Sequence, residues 1–525
     1  MPAAGAATAA APARLPLPVG ERRARALLLA CVLGVAVCGF VYELVIIAFG
    51  TYLFGNSIFQ VSIVLASFVS AMGLGSLLAK PLLSRPVEAF VAIEGTVALV
   101  GGTSAMALYA SFAWLDLYQP TMIALAGACG VLVGCEIPLL MSLLGRLGRR
   151  EPGSSVADLL AADYLGAVVA GLAFPFLLLP FLGQIHGALA VGALNALAGL
   201  LVLWLFARTV TRRALLAGAG GLLAVLAVLG GAAALAGRFE VSARQSLYDD
   251  PIVHSERTRY QEVVLTHARG SDDFRLYLNG DLQFSSKDEY RYHESLVHPA
   301  MVGRHASVLV LGGGDGLALR EVLRYPRVRR AVEVELDPRM VELARRHPRL
   351  AELNGASLFD PRVEVVEADA FSWLRSRAER FDVVIADFPD PDDAGTAKLY
   401  SVEMYELARA ALAPGGRMVV QAGSPYFAPE AFWAIDRTLE AAGFGTRPYH
   451  VDVPSFGDWG FVLAAEGGAP SLALAPPAPL RFLDPGVLAA ASRFPRDRSR
   501  LHTVRPSTLD RPRILDYERR GWQDY

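Results

Sequence analysis

The chain changes its preferred solvent at one point. From about Leu27 to Gly237 it is almost continuously apolar, and from Arg238 onward it carries charge at the density of a water-soluble protein. A bilayer-spanning helix needs about 20 mainly apolar residues. Runs of that kind fall at 27–50, 57–79, 89–115, 119–145, 158–181, 186–207 and 214–237. Buried helices of a soluble protein would show charged faces at helical period, and these runs show almost none. The expectation is an N-terminal all-α multipass membrane domain of about seven helices over 21–237, behind an Ala/Pro-rich, disordered segment 1–20. With 525 residues in all, a prior of about 150 residues per domain leaves room for soluble structure beyond it.

Arg22, Arg23 and Arg25 precede the first run as they would precede a signal peptide. The apolar stretch continues past Cys31 to Gly50, too long for a cleaved leader, so an uncleaved span is expected. All four cysteines, Cys31, Cys38, Cys129 and Cys135, lie within the runs and suggest neither a disulfide framework nor a metal site. Lys and Arg total 49 against 51 Asp and Glu, which leaves no basic excess of the kind nucleic-acid binding requires.

Basic residues cluster in alternate loops: Arg22, Arg23 and Arg25; Lys80 and Arg85; Arg146, Arg149 and Arg150; Arg208, Arg212 and Arg213. The positive-inside rule puts the N-terminus in the cytoplasm. Seven crossings would then export the soluble half. Either one segment does not cross, 158–181 being the weakest because it carries Asp158, Asp163, Pro175 and Pro180, or the soluble half faces out. Glu43, Glu94, Glu136 and Asp163 sit in or beside apolar runs, where an acid is by default functional.

The soluble half opens with alternating segments, Gln261–His267 and Phe274–Leu278, expected as a small antiparallel β domain over 238–300. Strands 307–311, 331–335, 363–367, 381–386, 417–421 and 461–465 then alternate with helical stretches over 301–465, the pattern of a parallel, doubly wound α/β sheet. Residues 466–525 are a Pro/Ala-rich linker and an appendage with no catalytic spacing.

Chemistry concentrates at the strand ends. Leu311-Gly-Gly-Gly-Asp-Gly316 follows the first strand, and its Gly312 and Gly314 let backbone approach a ligand at a helix N-terminus. Glu335, about 20 residues on, suits ribose hydroxyls. Asp369-Ala370 ends the third strand, where an acceptor can meet an adenine amino group. Acids at three successive strand ends predict a Rossmann-like, S-adenosylmethionine-methyltransferase-like pocket. Asp315 is the discriminating residue, since it would repel the carboxylate of S-adenosylmethionine and attract the ammonium of its decarboxylated form. Asp387-Phe-Pro-Asp390-Pro follows the fourth strand and supplies a carboxylate to orient an amine and accept its proton.

The ordered set Arg259-Tyr-Gln261, LNGDLQ, DEYRYHE, GGGDG, VELDP, EADAF and DFPDP with Leu399-Tyr400 resembles the spermidine/spermine synthase family over roughly residues 250–465. The apolar half and tail resemble a membrane-attached bacterial branch. The resemblance implies a polyamine aminopropyltransferase with no permanent cofactor and no metal. It would move an aminopropyl group from decarboxylated S-adenosylmethionine, a co-substrate, to putrescine or a related amine and release 5′-methylthioadenosine. It further implies that Gln261 and Glu335 hold methylthioadenosine, with Asp369 and Ala370 at the adenine. Tyr292, Gln283, His293, Asp315 and Asp390 would line the amine and aminopropyl path, with Asp387 as proton acceptor. Three positions depart from the pattern: Asn279 replaces the Asp of LDG, Ala394 replaces a proline, and Phe456 replaces a frequent tyrosine. The implied partners are a polyamine, a lipid bilayer and a second copy of the chain, with the catalytic half in the cytoplasm. A methyltransferase using S-adenosylmethionine, and a membrane transporter or sensor whose soluble half only binds polyamine, are the alternatives.

Overall fold

A computed structural model describes residues 17–54, 58–147 and 152–523. Most of the segment expected to be disordered, and the basic loop at Arg149 and Arg150, lie outside the described residues. The chain divides into two compact units, Met1–Leu247 and Tyr248–Tyr525.

The described residues of the first unit are helices and short connections, with no strand among them. Among the described residues, six helices are long and apolar enough to cross a membrane: Glu21–Gly50, Gln60–Leu78, Pro86–Leu115, Tyr118–Arg146, Val156–Leu205 and Arg212–Gln245. The count is six rather than the expected seven because runs 158–181 and 186–207 fall in one 50-residue stretch whose two helical parts meet at a kink at Gly183. At 1.5 Å per residue such a stretch is about 75 Å long, more than twice the hydrocarbon thickness. It is not straight. Its i→i−4 ladder loosens at Phe174–Leu178, around Pro175, and its backbone leaves helical geometry at Gly183, with φ 67° and ψ −176°. Asp158 on this helix meets Arg25 at 2.5 Å, which accounts for one acid of the apolar half. The last helix runs on to Gln245, its final turns carrying an Arg244–Glu240 pair one turn apart.

The second unit holds two sheets. Strands β1 (Ile252–Arg257), β2 (Glu262–His267), β3 (Phe274–Leu278) and β4 (Asp281–Ser285) form an antiparallel meander in that order. The β3–β4 turn is Asn279-Gly280, with φ 53° and 99°. Two consecutive positive φ values suit Asn-Gly as they suit Asp-Gly, and Asn279 Oδ1 accepts from the Glu262 N–H at 2.9 Å; the exchange of Asp for Asn has no structural explanation.

The larger sheet contains β5 (Ser307–Gly312), β6 (Arg330–Glu335), β7 (Val363–Glu367), β8 (Phe381–Asp387), β9 (Leu412–Gln421), β10 (Gly445–Val453) and β11 (Gly457–Ala465), in the order β10-β11-β9-β8-β5-β6-β7. It is mixed rather than wholly parallel. β7 to β9 are parallel, whereas β11 pairs antiparallel to β9 and β10 antiparallel to β11. The expectation failed at 461–465 because the connection into that strand is the short turn after β10, and a tight hairpin can only join antiparallel neighbours. Strand order reverses between β5 and β8, so the loops after them part and leave a crevice at their carboxyl ends.

Candidate active site

That crevice is a cavity of about 320 Å³, within the range of small-ligand sites. All twelve residues singled out in the sequence line it: Gln261, Gln283, Tyr292, His293, Gly312, Gly314, Asp315, Glu335, Asp369, Ala370, Asp387 and Asp390. Their convergence follows from register. Gly312 at the end of β5 stands directly beside Asp387 at the end of β8. A Cβ on Gly312 would come within 2.2 Å of the Asp387 carbonyl oxygen, and its φ is 78°, so the turn requires glycine twice over. Gly314 is equally constrained, because a Cβ there would fall 2.8 Å from the Glu335 carboxylate.

Glu335 accepts from the Asp337 backbone N–H at 2.9 Å. Burial pushes its pKa up to about 7, against the pull of nearby backbone N–H groups. Asp337, which the sequence reading passed over, accepts from Gln261 Nε2 at 3.0 Å and Thr258 Oγ1 at 2.7 Å, and so fixes Gln261 over the cavity. Asp369 caps the helix Ala370–Ser376 by accepting from Ser372 N–H at 2.9 Å, and its other oxygen meets Lys398 Nζ at 2.5 Å. Burial opposes the charge on Asp369, but Lys398 and Ser372 hold its pKa below the usual value. Asp369 therefore lines the cavity with both oxygens already engaged. Ala370 begins the helix, where backbone N–H groups lack intrahelical partners.

On the opposite wall the helix Glu289–Val297 presents Tyr292 and His293. The Tyr292 hydroxyl donates to Asp387 Oδ1 at 2.5 Å. His293 Nδ1 faces two oxygens of Glu289, the backbone carbonyl at 2.8 Å and Oε2 at 2.9 Å, so it carries the proton. Glu289 is in turn clamped by both terminal nitrogens of Arg320, at 2.9 and 2.8 Å. Burial disfavours a charged His293, yet Glu289, Asp315 and Asp387 lift its pKa above the ordinary value. Glu294, adjacent in sequence, points elsewhere and accepts the backbone N–H groups of Arg481, Phe482 and Leu483, tying down the linker.

Asp315 accepts from Leu317 N–H at 2.8 Å, and burial raises its pKa to about 6 although His293 works against the rise. Burial likewise raises Asp387, opposed by His293 and the Tyr292 hydroxyl. Asp390 accepts from Gln421 Nε2 at 3.0 Å, and burial lifts it to about 6. Gln283 lines the same wall, its Nε2 donating to the Asp281 carbonyl at 3.2 Å. Phe456 and Trp459 add aromatic faces; Phe456 meets Tyr292 edge-on at 6.0 Å.

The sequence reading also passed over Asp281 and Asp392, which line the cavity beside Asp390. Glu518 is a further omission. It lies on the C-terminal helix Arg513–Trp522, is 5% exposed, and accepts from Trp522 Nε1 at 2.6 Å. Asp390, Asp392 and Asp281 all act on it electrostatically. The helix is fastened by Trp522 stacking on Phe427 at 5.0 Å and by Gly521 lying against Ala428. A lone Glu near the end of a charged tail gives no sequence signal; only the docking of that tail brings it to the acid wall.

A spermine/spermidine synthase domain matches residues 289–475. Polyamine aminopropyltransferase 1 of Streptomyces coelicolor is 56% identical over 522 residues, covering 98% of each chain. The polyamine aminopropyltransferase of Mycobacterium tuberculosis is 50% identical over 512 residues, covering 95% of this chain and 97% of its own. The chain belongs to the spermine/spermidine synthase family. It is thus a polyamine aminopropyltransferase by descent along its whole length, apolar half included. Among solved structures, a spermidine synthase in complex with the transition-state analogue AdoDATO aligns with 27% identity and a TM-score of 0.44, over 46% of this chain and 85% of its own.

Proposed function

We propose that the chain is a membrane-anchored enzyme that transfers the aminopropyl group of decarboxylated S-adenosylmethionine to a putrescine-like amine. The observation that carries the reading is the placement of Asp315, Asp387 and Asp390 along one wall of a single cavity, with Tyr292 donating to Asp387. The lining cations are engaged, Lys398 with Asp369 and His293 with Glu289, and Asp315 stands where a methyltransferase would have to tolerate the carboxylate of its cofactor.

In this reading the glycine turn and Glu335 hold the ribose, while Asp369 and the start of the helix at Ala370 meet the adenine. Asp315 holds the aminopropyl ammonium. The acceptor amine lies along Asp390, Gln283 and the aromatic faces of Tyr292, Phe456 and Trp459, held by charge and cation–π attraction. Its reacting nitrogen gives a proton to Asp387, then attacks the carbon beside the sulfonium. An N–C bond forms, the C–S bond breaks with its electron pair passing to sulfur, and 5′-methylthioadenosine departs neutral. The sulfonium is already an activated leaving group, so the residues need only position, deprotonate and stabilise charge.

The apolar unit is the membrane anchor of this reading. The reading keeps the catalytic unit on the cytoplasmic side, with its co-substrate. Purified protein supplied with decarboxylated S-adenosylmethionine and putrescine should release methylthioadenosine and spermidine in equal amounts. Methylated product without methylthioadenosine would overturn the enzymatic reading. Protease cleavage of the catalytic unit in intact cells would overturn the sidedness.

A further inference from the structure

The apolar unit holds a second set of acids that the aminopropyl reaction does not use. Four of its helices, Glu21–Phe54, Pro86–Gly102, Tyr118–Arg146 and Leu179–Leu205, pack on one another. Each contributes a polar residue to their shared interior: Tyr42, Glu94, Glu136 and Asn195, which are 0%, 0%, 3% and 0% exposed.

Helix contacts set Glu94, Glu136 and Asn195 near one level, with Tyr42 about two turns further along. A Cβ on Gly199 would stand 3.2 Å from Glu94 Cβ, and Asn195 lies one turn before Gly199 on the same helix face. Gly39 fits against Val133 in the same way, at 3.1 Å, and Glu136 lies one turn beyond Val133. Gly101, two turns from Glu94, receives the Tyr42 ring at 2.7 Å. Cys38 Sγ reaches the Val191 carbonyl at 3.6 Å and Cys31 Sγ the Ala198 carbonyl at 3.8 Å, so the first helix runs along both sides of the Asn195 step.

These polar groups lack protein partners. Both oxygens of Glu94, Oε1 of Glu136, both amide atoms of Asn195 and the Tyr42 hydroxyl are buried without a hydrogen bond. No Lys, Arg or His occurs in 26–79, 86–145 or 187–205 to balance the two carboxylates. An ion in such a place carries a desolvation cost of several kcal/mol even after relaxation. Uncompensated buried carboxylates, together with an amide and a phenol that also lack partners, mark a place where a ligand belongs.

The geometry points to a second amine-binding site, in which Glu94 and Glu136 hold a protonated primary amine, with Asn195 and Tyr42 completing its surroundings. A primary ammonium has three N–H donors, and the two glutamates offer three unpartnered oxygens. The Tyr42 ring gives the following methylene groups an aromatic face. A hard metal ion fits less well, since among the described residues no three His, Cys, Asp or Glu side chains come together as a metal site. The membrane unit thus binds the chemical class that the catalytic unit handles, either retaining substrate near the enzyme or sensing its level. Only the choice of ligand rests on the proposed function.

The test uses the full chain in lipid nanodiscs, with radiolabelled putrescine and without co-substrate. Wild type should bind one more amine per chain than the Glu94→Gln/Glu136→Gln variant, while both release methylthioadenosine at similar rates once co-substrate is added. Dicyclohexylcarbodiimide labelling of Glu94 in wild type covers the case of a variant that does not fold: putrescine should slow labelling at least about fivefold, and sodium should not. Equal amine stoichiometry in the two proteins, labelling indifferent to putrescine, or protection by sodium alone would each overturn the inference. Methylthioadenosine release with an unchanged stoichiometry defeats this inference alone. Extra amine binding without any release defeats the proposed reaction alone.

Discussion

Replacing Asp387 with Asn keeps the shape of the site and removes its base. The amide presents an oxygen of the same reach, so the Tyr292 hydroxyl, 2.5 Å from Asp387 Oδ1, keeps its acceptor. Asp390 and Asp315 still carry the charges that attract the amine. What is lost is the proton acceptor, a role that typically contributes about 10²- to 10⁴-fold, or about 3–5 kcal/mol of barrier. The variant's methylthioadenosine release at saturating substrates should fall by that factor, while the acceptor KM moves less than about tenfold. The pH profile supplies an independent check. An alkyl amine with a pKa near ~10.4 is neutral in only about one molecule in 10³ at about pH 7.4. Without Asp387 the enzyme must draw on that fraction, so its rate should climb about tenfold per pH unit between about pH 7 and 9. Wild type, which strips the proton inside the site, should climb far less. Chromatographic quantification of methylthioadenosine reads both quantities. A variant within about threefold of wild type at neutral pH, or one with the wild-type pH slope, would refute Asp387 as the base.

Asp315→Asn keeps the bond from Leu317 N–H but loses the charge facing the aminopropyl ammonium; kcat/KM for decarboxylated S-adenosylmethionine should fall about 10²-fold, in line with the loss of a close buried charge pair, while inhibition by S-adenosylmethionine strengthens. Gly314→Ala drives a methyl group to within 2.8 Å of the Glu335 carboxylate, and co-substrate affinity measured by calorimetry should drop at least about tenfold with little change in the acceptor KM. Glu518→Gln replaces a carboxyl whose pKa is held well above the usual range by burial and by the charges of Asp390, Asp392 and Asp281; with little charge lost, the acceptor KM at neutral pH should stay within about threefold of wild type, and a larger rise would show that the carboxyl is ionised in the working enzyme. Because Asp315 and Asp390 sit at about 6 and bind an ammonium only when ionised, affinity for the co-substrate through Asp315 and for the acceptor through Asp390 should both weaken as pH falls through about 6. The stability of the empty enzyme should move oppositely: carboxyls with raised pKa values cost stability when ionised, so a thermal melt should improve as pH drops from above 7 toward 5.

Legibility from sequence followed the range of the interactions. Glu335, Asp369 and Asp387 were visible because each closes a strand that announces itself by apolar pattern, and parallel strands align their carboxyl ends. Asn279 was visible as a departure, but its left-handed turn position needed backbone angles. Arg320 was invisible because it grips Glu289 from a helix 31 residues away, and Glu289 in turn orients His293. Lys398, on a short 3₁₀ turn, could not be connected with Asp369 by any spacing rule. Glu518 lies 128 residues beyond Asp390 and reaches it only through a docked tail. In the apolar half hydropathy located the helices, but the loosened turn at Phe174–Leu178 and the break at Gly183, where two expected spans meet in a kink, are decided by local backbone geometry.

The acid wall explains why such a site favours a cation over a neutral or zwitterionic competitor. Asp315, Asp387 and Asp390 line one cavity with their carboxyls raised by burial, so the empty pocket keeps part of its charge suppressed by protons. A polyamine exchanges those protons for fixed ammonium groups, and the attraction is greatest where water is already excluded. A ligand with its own carboxylate meets the same wall with the opposite sign, because Asp315 stands where that group would enter. On the proposed reading, discrimination between decarboxylated and intact S-adenosylmethionine would need no steric gate: it would follow from one aspartate held in place by the Leu317 N–H at the start of a helix, whose charge would repel one cofactor and attract the other.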